Sequence, residues 1–243
     1  QINGIKNLVL FMKVFIMHQK NIDKMYYVNL SRRDDRRLKM EKQISDIQIL
    51  SKMERYDAID WKDINFENEV LLDKLYTKKE KGYKLGISLT PGLVALHNTF
   101  AEIYKKNLFN NYGNILICED DIVFVDDFEI KFTKALKNIP NDWDMIHFGY
   151  IKSDLVIKEK INNFYSTYEY KPGNQCFMVN KKACEVFLQY MTHPKMAVDS
   201  DMVHRIVRKG LLKGYISNER LAYQKNIRDS DTIPQDFGEF YYE

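Results

Sequence analysis

The 243-residue chain has little excess charge of either sign. Its 37 Lys and Arg residues nearly balance 34 Asp and Glu residues, which leaves a formal net charge of +3. Proteins that bind polyanions without specificity usually carry a large uncompensated basic excess. The near balance therefore argues against a generic polyanion binder, and we expect no nucleic-acid partner.

The chain is also poor in cysteine. Cys118, Cys176 and Cys184 are an odd number, and no Cys or His pair has the spacing of a zinc site. This count argues against a disulfide framework and predicts three buried thiols in a reducing compartment. We therefore expect a cytoplasmic protein. The lumen of the endoplasmic reticulum is the alternative if the chain is part of a larger secretory-pathway polypeptide.

The apolar stretch Leu8–Met17 is too short to cross a membrane. It has 10 residues and contains Lys13, whereas a transmembrane helix needs roughly 20 apolar residues. It also lacks the small-residue cleavage pattern of a signal peptide. We predict no transmembrane span. Residues 1–22 are interpreted as an N-terminal extension or the remnant of a linker, ahead of a single domain over residues 23–243.

Apolar periodicity along the chain alternates between strands and helices. This alternation predicts an α/β fold with a mixed, mostly parallel sheet flanked by helices. The expected strands are Met25–Leu30, Glu54–Ile59, Asn114–Cys118, Trp143–Gly149 and Gln175–Val179. The expected helices follow Ser31, cover Glu67–Tyr76, start at Thr90-Pro91 and near Asp127, and cover Lys181–Met191 and Ser200–Lys209, with a loop at Lys78–Lys84.

An acidic triplet follows a buried strand. If Glu119, Asp120 and Asp121 continue the extended backbone, Glu119 and Asp121 face one side and Asp120 faces away. Two carboxylates at the carboxyl end of a strand suit Mg²⁺ or Mn²⁺. The alternative is a solvated acidic loop. Residues 119–129 hold six acidic residues and no basic one, a local charge of −6.

A basic segment follows the first strand. Residues 31–39 hold five basic and two acidic residues, a local charge of +3. Arginine side chains at a helix N-terminus suit the oxygens of a diphosphate. The interspersed aspartates allow a second interpretation, in which the arginines pair with them on a solvated helix face.

Short stretches in a fixed order resemble the motifs of glycosyltransferase family 25, which contains lipopolysaccharide and procollagen glycosyltransferases. They are Tyr27–Arg37 (YVNLSRRDDRR), Arg55–Asp60 (RYDAID), Leu89–Gly92 (LTPG), Ile115–Val123 (ILICEDDIV), Trp143–Gly149 (WDMIHFG), Ala197–Asp199 (AVD) and Ser230-Asp231. The resemblance covers residues 25–232. It implies a GT-A-type fold, that is, a Rossmann-like nucleotide-sugar transferase fold.

The resemblance also implies a function and a set of site residues. An inverting enzyme would move galactose or glucose from a UDP-sugar to a hydroxyl of a glycan or of a hydroxylysine-bearing protein, with Mn²⁺ or Mg²⁺. Asp121 would bind the metal, and Glu119 would contact it through water or bind the donor ribose. The expected donor-binding residues are Asn29, Leu30, Arg32, Arg33, Arg36, His97 and Asp120. The oligomeric state is left open, with a homodimer as one candidate.

The chain departs from the family in the third motif. The family continues with a Glu, a Gly-Cys pair and a Ser-His pair, whereas this chain has Gly92–His97, GLVALH. His97 then lies on the apolar stripe of a helix, where a buried core histidine is the alternative to a donor-binding one. The departure supports a second hypothesis, a catalytically inactive transferase-like binding domain of a larger polypeptide. A two-metal phosphohydrolase is a third.

An inverting transfer needs a general base near the acceptor hydroxyl. The candidates are Asp199 and, as the alternative, Asp201, although either could instead cap a helix that begins there. The tyrosines Tyr165, Tyr168 and Tyr170 are expected to pack in a hairpin or the core. A late polar segment is expected to fold over the donor as a lid and contains Lys225, Arg228, Ser230 and Asp231.

Overall fold

The computed structural model describes residues 22–64, 90–153, 155–170, 173–191, 194, 197–224 and 231. The predicted helix Glu67–Tyr76, the predicted loop Lys78–Lys84 and residues 1–21 of the predicted extension lie outside these ranges. So do Lys225, Arg228 and Ser230 of the predicted lid. Among the helices of the described ranges, none is both long and apolar enough to cross a bilayer.

The described residues form one mixed sheet of ten strands, in which β8 runs antiparallel between β3 and β5. The strand order is β2-β1-β3-β8-β5-β9-β7-β6, and β10 pairs with β4 and β5. Seven strands point one way, and β4, β7 and β8 point the other. The strands are β1 Lys24–Asn29, β2 Met53–Asp57, β3 Asn114–Glu119, β4 Ile122–Phe124, β5 Met145–Gly149, β6 Val156–Lys160, β7 Tyr165–Tyr170, β8 Cys176–Asn180, β9 Gly214–Ser217 and β10 Ala222–Gln224.

Helices cover both faces of the sheet. Alternate residues of β1 enter opposite cores: Met25 and Tyr27 pack with α1 and α3, whereas Tyr26 and Val28 pack with α2 and α4. The predicted alternation of strands and helices is therefore confirmed. The helices are α1 Asp34–Asp46, α2 Pro91–Phe109, α3 Phe128–Lys137, α4 Lys181–Met191 and α5 Val198–Asp201, with short 3₁₀ turns at Gln48–Leu50 and Trp61–Asp63.

The predicted N-terminal cap is confirmed for α2 and is wrong for α1. Thr90 caps α2, because its Oγ1 accepts a hydrogen bond from the Leu93 amide at 3.2 Å, and Pro91 is the first helical residue. Ser31 does not cap α1. Its hydroxyl donates to Asp57 Oδ1 at 2.6 Å, and Arg33 occupies the cap position, where its side chain makes no capping hydrogen bond to the helix. The chain thus leaves β1 through a turn that is held to β2.

The last helical segment differs from the predicted Ser200–Lys209 helix. It begins as α5, Val198–Asp201, and continues as the π-helical turn Met202–Val207. Gly210, with a φ of +71°, follows this segment as predicted. The early start places Asp199 in the first turn, where it is close to the ends of the central strands.

The cysteines and tyrosines singled out in the sequence serve the core. All three cysteines are free and buried, which confirms the predicted buried thiols. Burial raises the pKa of Cys118 and Cys184, which keeps these thiols protonated. Tyr165 and Tyr168 are buried on β7, which pairs with β6 as a hairpin, so their predicted packing role is confirmed.

The cap of α2 gives a direct test of the fold. Replacing Thr90 by Ala removes the bond to the Leu93 amide and should lower the free energy of unfolding by about 1 kcal/mol. Thr90→Ser keeps the hydroxyl and is the matched control. Urea unfolding followed by circular dichroism measures both. Equal losses in the two variants would show that the cap bond is not what stabilises this end of α2.

Candidate active site

A cavity of about 260 Å³ opens where β1 and β3 end. Its polar wall contains Arg36, Glu119, Asp120, Asp121, Asn174, Gln175, Asp199, Gln224 and Asp231. Its apolar wall contains Val28, Leu30, Ala58, Leu93, Leu96, Ile151, Ala197 and Val198. The carboxyl ends of strands are where open α/β sheets bind ligands. Here charged groups from distant parts of the chain meet beside an apolar surface.

The acidic triplet does not continue the strand. β3 ends at Glu119, and Asp120 and Asp121 form the turn that leads into β4. Strand alternation stops at that turn, so the prediction that Asp120 faces away from Glu119 and Asp121 is wrong. All three residues line the cavity.

Asp120 is held by the protein itself. Its Oδ2 accepts from Asn29 Nδ2 at 2.6 Å, and its Oδ1 accepts from Arg36 Nη1 at 2.9 Å. Burial raises the pKa of Asp120, and the two hydrogen bonds oppose that rise. Both carboxylate oxygens therefore have protein partners. Asp120 fixes the turn and presents little that a ligand could use.

Asp121 has a different environment. Its Oδ2 accepts from Gln224 Nε2 at 2.8 Å and lies 3.3 Å from Arg36 Nη1. Its Oδ1 is buried and has no hydrogen-bond partner among the described residues. Burial, aided by the charge of Asp120, raises the pKa of Asp121 to about 6. This oxygen is thus available to a ligand that carries positive charge.

Three arginines of the basic segment converge on one carboxylate. Asp231 Oδ1 lies 2.7 Å from Arg32 Nη1, and its Oδ2 lies 2.5 Å from Arg33 Nη1 and 3.5 Å from Arg36 Nη1. Arg37 instead pairs with Asp34 and Glu41 on the outer face of α1. The interpretation as a self-paired helix face therefore holds for Arg37, and diphosphate binding by the other three arginines stays a prediction. The three arginines that converge on Asp231 are called the Arg32/Arg33/Arg36 cluster.

Asn29 and Leu30, at the end of β1, differ in whether they line the cavity. Leu30 lines the cavity, whereas Asn29 is buried beneath it. The Asn29 Oδ1 accepts from Arg55 Nε at 2.8 Å, and its Nδ2 donates to Asp120. Asn29 thus contacts the cavity wall through Asp120, and its predicted donor-binding role stays a prediction. Arg55 extends this network to β2, which the RYDAID motif provides.

The two candidate bases lie in different environments. Asp199 lines the cavity, and its Oδ2 accepts from the Gly173 amide at 2.5 Å. Asp201 is buried behind the wall, 3.3 Å from Arg205 Nη1 and 3.8 Å from His97 Nε2. Residues two apart on a helix do not face the same side, which explains the separation.

His97 is a core residue in this structure. It is fully buried on α2 and does not line the cavity, although its neighbours Leu93 and Leu96 do. Neither His97 nor Asp201 is among the residues that line the cavity, and the predicted donor-binding role of His97 and catalytic role of Asp201 stay predictions. Their apolar surroundings and mutual contact account for their positions.

Sequence reasoning missed four residues of the cavity, three of them polar. Gly173, Asn174 and Gln175 immediately precede β8, and Gln224 ends β10. None of them belongs to a charged motif. The one signal was position, since Gln175 precedes a buried strand that lies beside β3. Only the antiparallel pairing of β3 and β8 brings Gln175 next to the acidic turn.

The residues present fit a divalent cation that is held by one or two carboxylates and shared with a substrate. The described ranges contain no cluster of three or more His, Cys, Asp or Glu residues that could hold a metal ion by themselves. Mg²⁺ sites, however, often use one or two carboxylates and complete the shell with substrate phosphates and water. Asp121, whose Oδ1 has no partner in the described part of the chain, and Glu119 in the same wall match that arrangement. Asp120 would contribute less because both its oxygens are engaged.

Comparison with known proteins gives a family match. The model of the family described as "Glycosyltransferase family 25 (LPS biosynthesis protein)" matches residues 22–202. Human procollagen galactosyltransferase 2 is 29% identical over 133 residues, which is 52% of this chain and 20% of that protein. A "Glycosyltransferase 25 family member" of Drosophila melanogaster is 26% identical over 131 residues, 53% of this chain and 21% of that protein. The chain thus matches about a fifth of the length of these relatives.

The fold has a counterpart among solved structures. The crystal structure of a glycosyltransferase involved in the glycosylation of the major capsid of PBCV-1 superposes with a TM-score of 0.50 at 10% sequence identity. The match covers 83% of this chain and 91% of that one. At this identity the comparison shows the fold alone. It confirms the predicted GT-A-type architecture.

The environment of Asp121 predicts a pH-dependent stability. A carboxyl whose pKa is raised on folding stabilises the fold while it is protonated, and this stability is lost as pH rises from about 4 to about 6. In the absence of divalent cations, the free energy of unfolding of the wild type should fall by roughly 2–3 kcal/mol over that window because of this one group. Asp121→Asn should abolish this part of the pH dependence. Urea unfolding between pH 4 and pH 7 measures it. Asp126→Asn, at an exposed acid nearby, should behave as wild type, and parallel pH profiles for all three proteins would contradict the assignment.

Proposed function

The chain belongs to glycosyltransferase family 25, and we propose that it transfers a hexose from a UDP-sugar to an acceptor hydroxyl with the help of a divalent cation. One observation carries the proposal. A single cavity is lined by Arg36 and the Asp231 carboxylate, around which the Arg32/Arg33/Arg36 cluster gathers, by Asp121, one of whose carboxylate oxygens has no partner among the described residues, and by the Asp199 carboxylate. A metal-bound diphosphate and an acceptor need these three kinds of group.

The arginine cluster is suited to the diphosphate. Its three guanidinium groups already surround an anion, the Asp231 carboxylate. Phosphate oxygens offer the same acceptor chemistry with more charge, so a diphosphate can replace Asp231 as the partner of the arginines. The apolar wall formed by Val28, Leu30 and Leu93 gives the uracil ring a surface for packing. This half of the cavity is where the nucleotide binds in our proposal.

The acidic turn is suited to the cation. Asp121 would hold Mn²⁺ or Mg²⁺, and Glu119 would contact it through water or bind the ribose. When bound, such a cation stabilises negative charge on the departing diphosphate. The positive groups of Arg33 and Arg36 act on the same charge from the protein side.

Asp199 is suited to the general base. Its carboxylate lines the cavity, and backbone amides of Gly173 and Ser200 hold it in place at 2.5 and 2.8 Å. A base must take the proton from the acceptor hydroxyl as the new glycosidic bond forms on the face opposite the leaving diphosphate. Asp199 enters the cavity from α5, while Arg36 enters it from α1. The two groups therefore approach a bound donor from different elements.

The substrates follow from the relatives only as proposals. Several relatives are named procollagen galactosyltransferases, and the family description refers to lipopolysaccharide biosynthesis. We propose galactose or glucose as the sugar, and a glycan or a hydroxylysine-bearing protein as the acceptor. A cytoplasmic site of action suits a bacterial-type glycan acceptor, and the endoplasmic reticulum suits a collagen-like acceptor.

One observation favours a second candidate, an inactive transferase-like binding domain. The divergent third motif contributes Leu93 and Leu96 to the cavity wall, in the stretch where the family has polar residues. A domain of this kind would bind the nucleotide sugar and release no nucleoside diphosphate. Activity measurements separate the two candidates.

The central test is release of nucleoside diphosphate. The protein is incubated with UDP- and GDP-sugars, with and without Mn²⁺, and UDP or GDP is measured with and without acceptor glycans. We expect Mn²⁺-dependent release from one UDP-hexose, and Asp121→Asn should reduce it at least a hundredfold because the cation loses its carboxylate. Asp126→Asn is the matched control. Tight UDP-sugar binding with no release would favour the binding domain, and equal activity on phosphodiesters would favour a phosphohydrolase.

Nucleotide binding tests the arginine cluster separately from chemistry. Charge-assisted hydrogen bonds contribute roughly 1.5–3 kcal/mol, so Arg33→Gln should raise the Kd for UDP about tenfold or more. Arg37→Gln makes the same substitution at an arginine on the outer face of α1. It should leave the Kd for UDP within about twofold of the wild-type value. Isothermal titration calorimetry at two salt concentrations measures both. Equal effects of the two variants would show that the cluster acts only through its overall charge.

A further inference from the structure

We propose that the side-chain amide of Gln175 binds a hydroxyl group of the hexose that is transferred, and that it thereby selects the donor sugar. The inference rests on the proposed function, because it assigns a part of the same cavity. It goes beyond the family match, which identifies no residue for this task.

The first argument is the unfilled hydrogen-bonding capacity of Gln175. The residue lines the cavity and is 1% exposed, and its Oε1 has no partner within the described part of the chain. Buried polar side chains nearly always have a hydrogen-bond partner, so each exception requires an explanation. A ligand in the cavity can supply the missing partner. The partner that is missing is a hydrogen-bond donor to the side-chain oxygen Oε1 of Gln175.

The second argument is position. The backbone carbonyl of Gln175 accepts a hydrogen bond from the Glu119 backbone amide at 3.0 Å, so the residue is adjacent to the acidic turn. Its side-chain amide packs over Gly173, whose own amide holds Asp199. Gln175 therefore lies between the proposed cation-binding carboxylates and the proposed base. The hexose must lie there too, because its anomeric carbon is between the leaving phosphate and the attacking hydroxyl.

The third argument is the space that Gly173 leaves. Its φ is +79°, and a Cβ built on it would lie 3.1 Å from Gln175 Nε2 and 3.3 Å from Gln175 Cδ. A larger residue at position 173 would press on the amide as well as adopt an unfavourable backbone conformation. The glycine thus permits the Gln175 side chain to lie against the loop that carries the Asp199 contact.

The chemistry of the amide indicates the ligand class. A primary amide offers one acceptor and one donor group side by side and has no charge. A sugar hydroxyl can donate to Oε1 and accept from Nε2, so one hydroxyl satisfies both ends. A site that hydrogen-bonds a substrate hydroxyl discriminates strongly against an analogue that lacks it, because its polar group is then left unpaired. Gln175 therefore favours a neutral hexose with a hydroxyl at one position.

The test compares a hexose with its deoxy analogues. For wild type and Gln175→Met, kcat/KM is measured for the preferred UDP-hexose and for the corresponding 2-, 3-, 4- and 6-deoxy donors. We expect wild type to disfavour one deoxy donor at least tenfold. In Gln175→Met that preference should fall to within about twofold, because the hexose loses activity while the deoxy donor keeps its wild-type value. The Kd for UDP should not change.

Gln43→Met is the matched control. The Gln43 amide is already satisfied, since it donates to the Ile122 carbonyl at 3.0 Å and accepts from the Phe124 amide at 3.1 Å. This variant should lower the melting temperature and leave the donor preference intact, whereas Gln175→Met should not lower it. Gln175→Asn, which keeps the amide on a shorter side chain, should give an intermediate preference.

The outcomes separate the inference from the function beneath it. If Gln175→Met keeps the full preference, or slows the hexose and the deoxy donors equally, the inference is overturned and the proposed transferase stands. If wild type binds UDP but releases it from no UDP-sugar, the proposed transferase activity fails first and the selection of a transferred hexose fails with it.

Discussion

The buried ion pair between Arg36 and Asp120 is the contact on which the arrangement of the cavity depends. Both side chains are 8% exposed, and they join α1 to the turn after β3. Loss of one partner would leave the other charge buried and unpaired, which typically costs about 3–5 kcal/mol. The same Nη1 of Arg36 lies within 3.5 Å of both Asp121 and Asp231. One guanidinium group therefore links the acidic turn to Asp231, the carboxylate on which the Arg32/Arg33/Arg36 cluster converges.

The topology explains why this pair can form. β1 and β3 are parallel neighbours, with Val28 opposite Glu119, so the residues that follow each strand meet at one edge. The basic segment after β1 and the acidic turn after β3 are about 90 residues apart in sequence, yet Asn29 and Arg36 both bond to Asp120. The small net charge of the chain thus conceals two opposite local charges, +3 over residues 31–39 and −6 over residues 119–129. Their contact leaves room for a compact anion with its own cation.

The predictable part of the molecule is the part that local patterns encode. Apolar alternation is enough to find β1, β3 and β8, and Thr90-Pro91 is enough to find the start of α2, because these signals lie within a few residues. The orientation of Asp120 was not predictable from strand alternation, since the strand ends one residue earlier in a turn. The separation of Asp199 from Asp201 depends on an early helix start, and the place of Gln175 depends on an antiparallel pairing. These features come from tertiary contacts, which no short motif records.

Asp120 and Asp121 show how the environment assigns roles to identical neighbours. Asp120 has two protein partners and closes the network of Asn29 and Arg36, so it stabilises the turn. Among the residues that the structure describes, Asp121 and Gln175 each have one buried side-chain oxygen without a partner, and both line the same cavity. Two such groups reduce the stability of the free protein, because each has lost water without gaining a hydrogen bond. A cation at Asp121 and a sugar hydroxyl at Gln175 would satisfy both at once, so the features that weaken the free fold are those that a bound nucleotide sugar would complete.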